Sequence, residues 1–272
     1  MTKQIHIFGN SHLAAVQDGY KQFAGRWPEF EATFIGAHKD GLAEVTCEDG
    51  ILKPISAEAI DDFDRLAGLT EVDLRNTAAI VIIGAGFAPI RAAMIYHRAR
   101  WAALPSVQAN PDPSPEWALV SKPAFSAMLQ AKLLEEAAGR LIRILKRDID
   151  TPIFLVSQPR ATTRIMEIGK HRLDIVRSVI TAGDGAALSE MFEANAATLA
   201  EALGVTYIGQ NPGTITQDFL TAEPFCKGAI RLAKLGRFSQ PKEDVLHANA
   251  AYGKVVLDQI KSALIRERVL TP

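Results

Sequence analysis

The chain is predicted to fold as a three-layer α/β/α sandwich around a parallel β-sheet. Three observations predict it. Five short runs rich in Ile, Val or Phe are apolar along their length, the pattern of strands buried on both faces. Helical patterns lie between them, and strands that alternate with helices build parallel sheets. The chain has 272 residues, 48% hydrophobic and 22% charged, an ordinary globular composition long enough to bury such a core.

The predicted strands are Gln4–Phe8, Ala32–Ala37, Ala79–Ile83, Ile153–Ser157 and Thr206–Gly209, each followed by turn residues. A helix is expected from Leu13 to Phe23. A second, from Ala57 to Leu69, has Ser56 as N-cap and Ile60, Phe63 and Ala67 on one face. From Ala124 to Arg147, Leu129, Leu133, Ala137, Leu141 and Leu145 recur at steps of four and predict one continuous helix. Leu188–Leu203, closed by Gly204, and Ala248–Leu264 complete the set. Two regions break the alternation. Pro105–Pro123 holds five of the fourteen prolines and reads as a loop, placed to hang over the strand ends as a lid. Residues 210–242 show little periodicity. With no internal repeat and no linker, residues 1–272 are expected to form one domain with two insertions.

Charge and cysteine content narrow the function. A formal net charge of −1 argues against a nucleic-acid partner. Cys47 and Cys226 are too few and too far apart for a disulfide scaffold or a cysteine metal site, and read as free thiols. The apolar run from Ala78 to Ile90 is too short to span a membrane and is broken by Gly84 and Gly86. Without a signal-peptide pattern, a cytoplasmic location is expected.

In parallel sheets, ligands bind beyond the carboxyl ends of the strands, so the post-strand segments carry the functional reading. After the first strand comes Gly9-Asn10-Ser11-His12, and before the last helix comes Asp244-Val245-Leu246-His247. A serine nucleophile needs a base, and the base needs an orienting carboxylate. At a spacing of three residues in a turn, Asp244 reaches the Nδ1–H of His247 and leaves its other nitrogen for Ser11. Ser11 stands at a helix start, where unpaired backbone N–H groups and the helix dipole favour an oxyanion.

These residues resemble the SGNH/GDSL hydrolases, a family of esterases, lipases, deacetylases and acyltransferases. The resemblance lies in Gly9-Asn10-Ser11 near one end, Asp244-x-x-His247 near the other, and the block His247-Ala248-Asn249-Ala250-Ala251-Tyr252-Gly253 that starts the last helix. It implies a flavodoxin-like five-stranded sheet in the order 2-1-3-4-5. It implies Ser11 as nucleophile, His247 as base, Asp244 as its partner and Gly41 as an oxyanion donor. The sequence departs from the family at two points. The usual GDS aspartate is Asn10. The block after the third strand, usually Gly-x-Asn-Asp, reads Gly84-Ala85-Gly86-Phe87, so the asparagine that donates to the oxyanion is missing. Loss of one such donor costs on the order of 10²–10³ in rate. The Gly86 N–H, Asn10 or Arg160 is expected to replace it.

Each residue also has a plainer reading. Ser11 alone suits a helix N-cap. Glu243 stands beside Asp244 as a rival partner. His12 reads as a helix-start residue close to the base. His38 and Asp40 read as a solvated loop, or as a pair near the site, and Gly41 as a turn glycine. Arg91, His97, Arg98 and Arg100 read as a solvated helix face, or as an anion-facing lid. The Gly84-Ala85-Gly86 run fits no dinucleotide site, because Pro89 occupies the third glycine position and no Asp or Glu occurs from Ala88 to Pro111. No cofactor and no metal are expected. The reading is a serine hydrolase that cleaves a carboxylic ester, of a small molecule or an O-acyl saccharide. Two alternatives stay open: an O-acyltransferase using the same Ser, His and Asp, and a non-catalytic ligand-binding module.

Overall fold

The five predicted strands form one parallel sheet. The structure, a computed structural model, describes residues 2–110, 116–168, 173–233, 236–239 and 244–271. Strands β1 (Lys3–Gly9), β2 (Phe30–Gly36), β3 (Ala79–Ile83), β4 (Ile153–Val156) and β5 (Thr206–Ile208) lie side by side in the order β2-β1-β3-β4-β5. This is the expected 2-1-3-4-5 order when the short strands of the intervening segments are left uncounted.

Each central strand feeds two cores. Ile5 and Ile7 of β1, Val81 and Ile83 of β3, and Phe154 and Val156 of β4 face helices α1 (Leu13–Gln22) and α9 (Ala250–Arg266). Phe8, Ile80, Ile82 and Leu155 face the other way. There they pack with α3 (Ile90–Tyr96), α5 (Lys122–Glu135), α6 (Ala137–Leu145) and α8 (Gly185–Ala202). Because both faces are covered, the strands read as unbroken apolar runs rather than as alternating ones.

The predicted helix over 124–147 is two helices, α5 and α6, parted at Glu136, where the backbone is extended. Glu136 is buried, and its carboxylate accepts from Arg91 (2.7 Å) and forms an ion pair with Lys132 (2.9 Å). The first turn of α6 donates its Ala138 N–H to the Ala85 carbonyl (3.0 Å). The break therefore ties these helices to the loop after β3. Earlier in the chain, α2 (Ala57–Asp62) starts on the Ser56 hydroxyl, which accepts the Ala59 N–H at 3.1 Å, and continues as a π-turn over Phe63–Ala67.

The proline-rich segment is not wholly a loop. Pro105 begins α4 (Pro105–Ala109), at a position where its missing N–H is not needed. Strand Ala118–Val120 pairs in parallel with Ala99–Trp101. Trp101, Leu104 and Val107 are buried and anchor this segment. Pro111, Pro113 and Pro115 lie outside the described residues. Three further short strands, Val45–Glu48, Ile51–Pro54 and Val72–Asp73, form a small antiparallel sheet, and α7 (Asp174–Thr181) precedes α8. Within 210–242, two short hairpins occur, 215–216 with 220–221 and 230–233 with 236–239. No helix among the described residues is long and apolar enough to cross a membrane.

Helices α1 and α9 cross at glycines. A Cβ on Gly253 would lie 1.9 Å from the Ala15 carbonyl oxygen, and one on Gly19 would lie 2.7 Å from the Lys254 nitrogen. The two backbones therefore touch, which only glycine permits. Ser11 precedes α1 and His247 precedes α9, so this crossing sets how close the two helix starts come.

Candidate active site

Ser11 and His247 are 236 residues apart in the chain and meet at the carboxyl edge of the sheet. Ser11 Oγ and His247 Nε2 are 2.8 Å apart, and His247 Nδ1 and Asp244 Oδ2 are 2.7 Å apart. A carboxylate only accepts, so Nδ1 carries the proton and Nε2 accepts the serine hydroxyl. That is the tautomer a base toward Ser11 needs.

The turn from Asp244 to His247 holds the pair locally. Asp244 Oδ1 accepts the N–H groups of Leu246 (3.0 Å) and His247 (3.2 Å) while Oδ2 takes the imidazole. The Val245 carbonyl accepts the Thr162 N–H (2.8 Å), which ties the turn to the loop after β4. Behind it, Asn249 caps α9 by accepting from Ala251 and Tyr252, and its amide donates to the Pro224 and Lys227 carbonyls (2.8 and 2.9 Å). Asp244 and His247 are each 9% exposed. Glu243, the rival partner, lies outside the described residues.

Burial by itself pushes the Asp244 carboxyl up. The hydrogen bond and charge of His247 and the two backbone N–H groups outweigh it, and hold Asp244 at about 2, against an ordinary 3.8. A group whose folded-state value is depressed stabilises the fold above its unfolded value and loses that contribution as pH falls. The contribution, about 2 kcal/mol, is thus complete above about pH 4 and is lost toward about pH 2. Urea titrations between about pH 6 and pH 2.5 should show the wild type losing more stability than Asp244→Asn by roughly two-thirds of that amount. Parallel pH dependence in the two proteins would contradict this.

His12 follows the serine and covers the base. Its ring stacks on that of His247, with centroids 4.7 Å apart and planes 19° apart. Burial first, then the nearby His247, hold the His12 pKa well below 6.5, against the opposing pull of Asp244. His12 therefore lies neutral over the base. The expectation of a helix-start residue close to the base describes its place.

The expected oxyanion donors fall into two groups. The N–H groups of Ser11 and Gly86 meet no acceptor among the described residues. Gly86 sits in a left-handed run with Gly84 and Ala85 (φ 66°, 46° and 89° for residues 84 to 86), a conformation that costs Ala85 about 1–2 kcal/mol. A Cβ on Gly86 would lie 2.2 Å from Glu136 Oε2, so no side chain fits there. Asn10 uses its carbonyl oxygen to accept the His12 N–H (3.2 Å), which holds the turn that leads into α1.

Gly41 and Arg160 are engaged elsewhere. The Gly41 N–H donates to the His38 carbonyl (2.8 Å) in the tight turn that opens a short 3₁₀ helix. The Arg160 guanidinium is buried and donates to Gln210 (3.2 Å), Ser189 (2.6 Å) and Glu193 (3.0 Å), fastening the loop after β4 to α8. In both cases a nearer acceptor takes the donor that sequence position alone leaves open.

His38 does not pair with Asp40. Its Nδ1 meets the buried Asp62 at 2.8 Å, while Asp40 pairs with Arg140 at 3.0 Å. Of the basic cluster, Arg91 is bound to Glu136, and the Arg100 guanidinium lies between the Tyr96 and Trp117 rings. Those two are structural ties rather than an anion-facing surface. No group of three or more His, Cys, Asp or Glu among the described residues is arranged to hold a metal ion.

No family model matches the chain, and no curated protein matches it. Among solved structures, the chain is similar to an extracellular lipase from Streptomyces rimosus (TM-score 0.46, 14% identity), covering 96% of this chain and 100% of that one. It is similar to the periplasmic domain of a lipopolysaccharide acetyltransferase from Salmonella ser. Paratyphi A (TM-score 0.43, 9% identity), covering 97% and 84%. It is also similar to a GDSL-like lipase from Bacteroides ovatus (TM-score 0.41, 10% identity), covering 100% and 55%.

Proposed function

We propose that this chain is an SGNH-type serine hydrolase acting on a carboxylic ester through an acyl-serine intermediate. The observation that carries the reading is the unbroken relay of Ser11, His247 and Asp244, with both links at or below 2.8 Å. In this mechanism Ser11 Oγ attacks the ester carbonyl carbon as its proton passes to His247 Nε2. Asp244 holds Nδ1–H and stabilises the imidazolium. The oxyanion of the tetrahedral intermediate rests on the N–H of Ser11, with Gly86 as a second donor. When the intermediate collapses, the alcohol leaves with the proton from Nε2. Water, deprotonated in turn by His247, then releases the acid and restores Ser11.

If a saccharide hydroxyl replaces water in the second half, the same steps transfer the acyl group. Ser11 followed by His12 resembles the turn of some polysaccharide O-acyltransferase domains, which keeps acyl transfer as the second reading. Both cysteines are free thiols, in keeping with a reducing compartment.

Intact mass after incubation with a fluorophosphonate tests the reading. One adduct is expected on the wild type and none on Ser11→Ala or His247→Ala. Turnover of short acyl esters, with and without an added saccharide acceptor, then separates hydrolysis from transfer. An unlabelled wild type, under conditions that label a control esterase, would leave a ligand-binding module as the reading.

A further inference from the structure

With Gly41 and Arg160 engaged, the oxyanion is short of donors, and one side chain at the sheet edge has no other use. We propose that Gln158 supplies the missing donor, its carboxamide binding the oxyanion formed at Ser11. This rests on the serine-hydrolase reading above.

The strand register places it. Gly9 of β1 pairs with Ile83 of β3, and Ile83 pairs with Val156 of β4. Ser11 lies two residues beyond Gly9, and Gln158 lies two residues beyond Val156. The two residues thus stand at one level on either side of β3, with strand ends roughly 10 Å apart. The Gln158 side chain leans into the gap between them. Its Cβ, Cγ and Oε1 lie 3.3–3.4 Å from where a Gly84 Cβ would stand. Position 86 cannot carry a side chain, so nothing from β3 competes for that space.

The side chain is also held without being used. Gln158 is 7% exposed, and its backbone N–H donates to the Phe87 carbonyl at 2.9 Å. Among the described residues, no group hydrogen-bonds its carboxamide. Its two carboxamide atoms keep access to solvent, so a ligand can reach them. Leu246, the residue before His247, lines the same small pocket as Gln158, together with Pro159 and Phe219. Gln158 therefore lies beside the turn that carries the base. An N–H donor placed there meets the oxygen only when it carries charge, so its effect falls on kcat and not on KM.

The test compares wild type with Gln158→Met, which keeps the packing volume and removes the donor, and with Gln158→Glu, which keeps the shape and opposes a negative oxygen. Steady-state hydrolysis of p-nitrophenyl acetate is measured, with inhibition by a trifluoromethyl ketone, which forms a tetrahedral adduct. Gln158→Met should lower kcat on the order of 10²-fold, leave KM within about threefold and weaken the ketone in parallel, and Gln158→Glu should fall further. Circular dichroism identifies a variant that has failed to fold, and the other variant then decides. A folded variant with wild-type kcat and ketone affinity overturns the role of Gln158 while Ser11 labelling keeps the hydrolase reading. A wild type that is neither labelled nor active overturns both.

Discussion

Replacing His247 by alanine is expected to slow the acylation of Ser11 on the order of 10⁶-fold, and Ser11→Ala, alone or with it, leaves no nucleophile to label. A serine hydroxyl is a poor nucleophile until a base takes its proton, and Nε2 at 2.8 Å is the base in reach. Because the two residues act as one unit, removing either removes the same step. Asp244→Asn is a finer version of the experiment. An asparagine amide would donate to Nδ1, shift the imidazole proton to Nε2 and turn the acceptor facing Ser11 into a donor. A loss of about 10⁴-fold is expected while the fold survives. The measurement is the second-order rate of fluorophosphonate labelling, followed by intact mass. If His247→Ala reacts within tenfold of wild type, the hydrogen bond has no catalytic meaning.

The second large effect lies away from the chemistry. Gly253→Ala would place a methyl carbon 1.9 Å from the Ala15 oxygen, 2.5 Å from its carbon and 2.9 Å from the Val16 Cα. All three are backbone atoms, so no side-chain rotation relieves the contact and α9 must move off α1. Overpacking of this kind costs about 3 kcal/mol or more. The shift also separates Ser11 from His247, and a displacement near 1 Å costs about 10²-fold in rate. Urea denaturation should therefore show a lower midpoint, and the folded fraction should label slowly. Wild-type stability would show that the helices do not cross at this point.

Much of the architecture was legible because it rests on local signals. The central strands are apolar on both faces, so their sequences name them without alternation. The Ser56 cap stands where a short polar side chain precedes a helix, whereas Asn249, inside the predicted last helix, is its cap. Elsewhere local signals misled for definite reasons. The leucine spacing over 124–147 runs through Glu136 because α5 and α6 line one core, yet the helix breaks at Glu136, whose buried carboxylate pairs with Arg91 and Lys132. Helix α7 has no counterpart among the predicted elements, because the β-branched Ile175, Val176, Val179 and Ile180 weaken its helical signal. The short antiparallel strands at 45–54 and 72–73 are too brief to show a period.

The candidate site divides in the same way. By itself the sequence determined the residue types and their places in the chain: a serine at a strand-to-helix turn, and an aspartate and histidine three apart before the last helix. Those depend on local backbone geometry, which adjacent residues specify. Only the tertiary structure decided which donors remain free. Gly41 and Arg160 are engaged by His38, Gln210, Ser189 and Glu193, and the Gln158 carboxamide has no hydrogen-bond partner among the described residues. A hydrogen bond goes to whichever acceptor the fold brings within about 3 Å, and that distance is set by strand register and helix crossing, not by sequence separation.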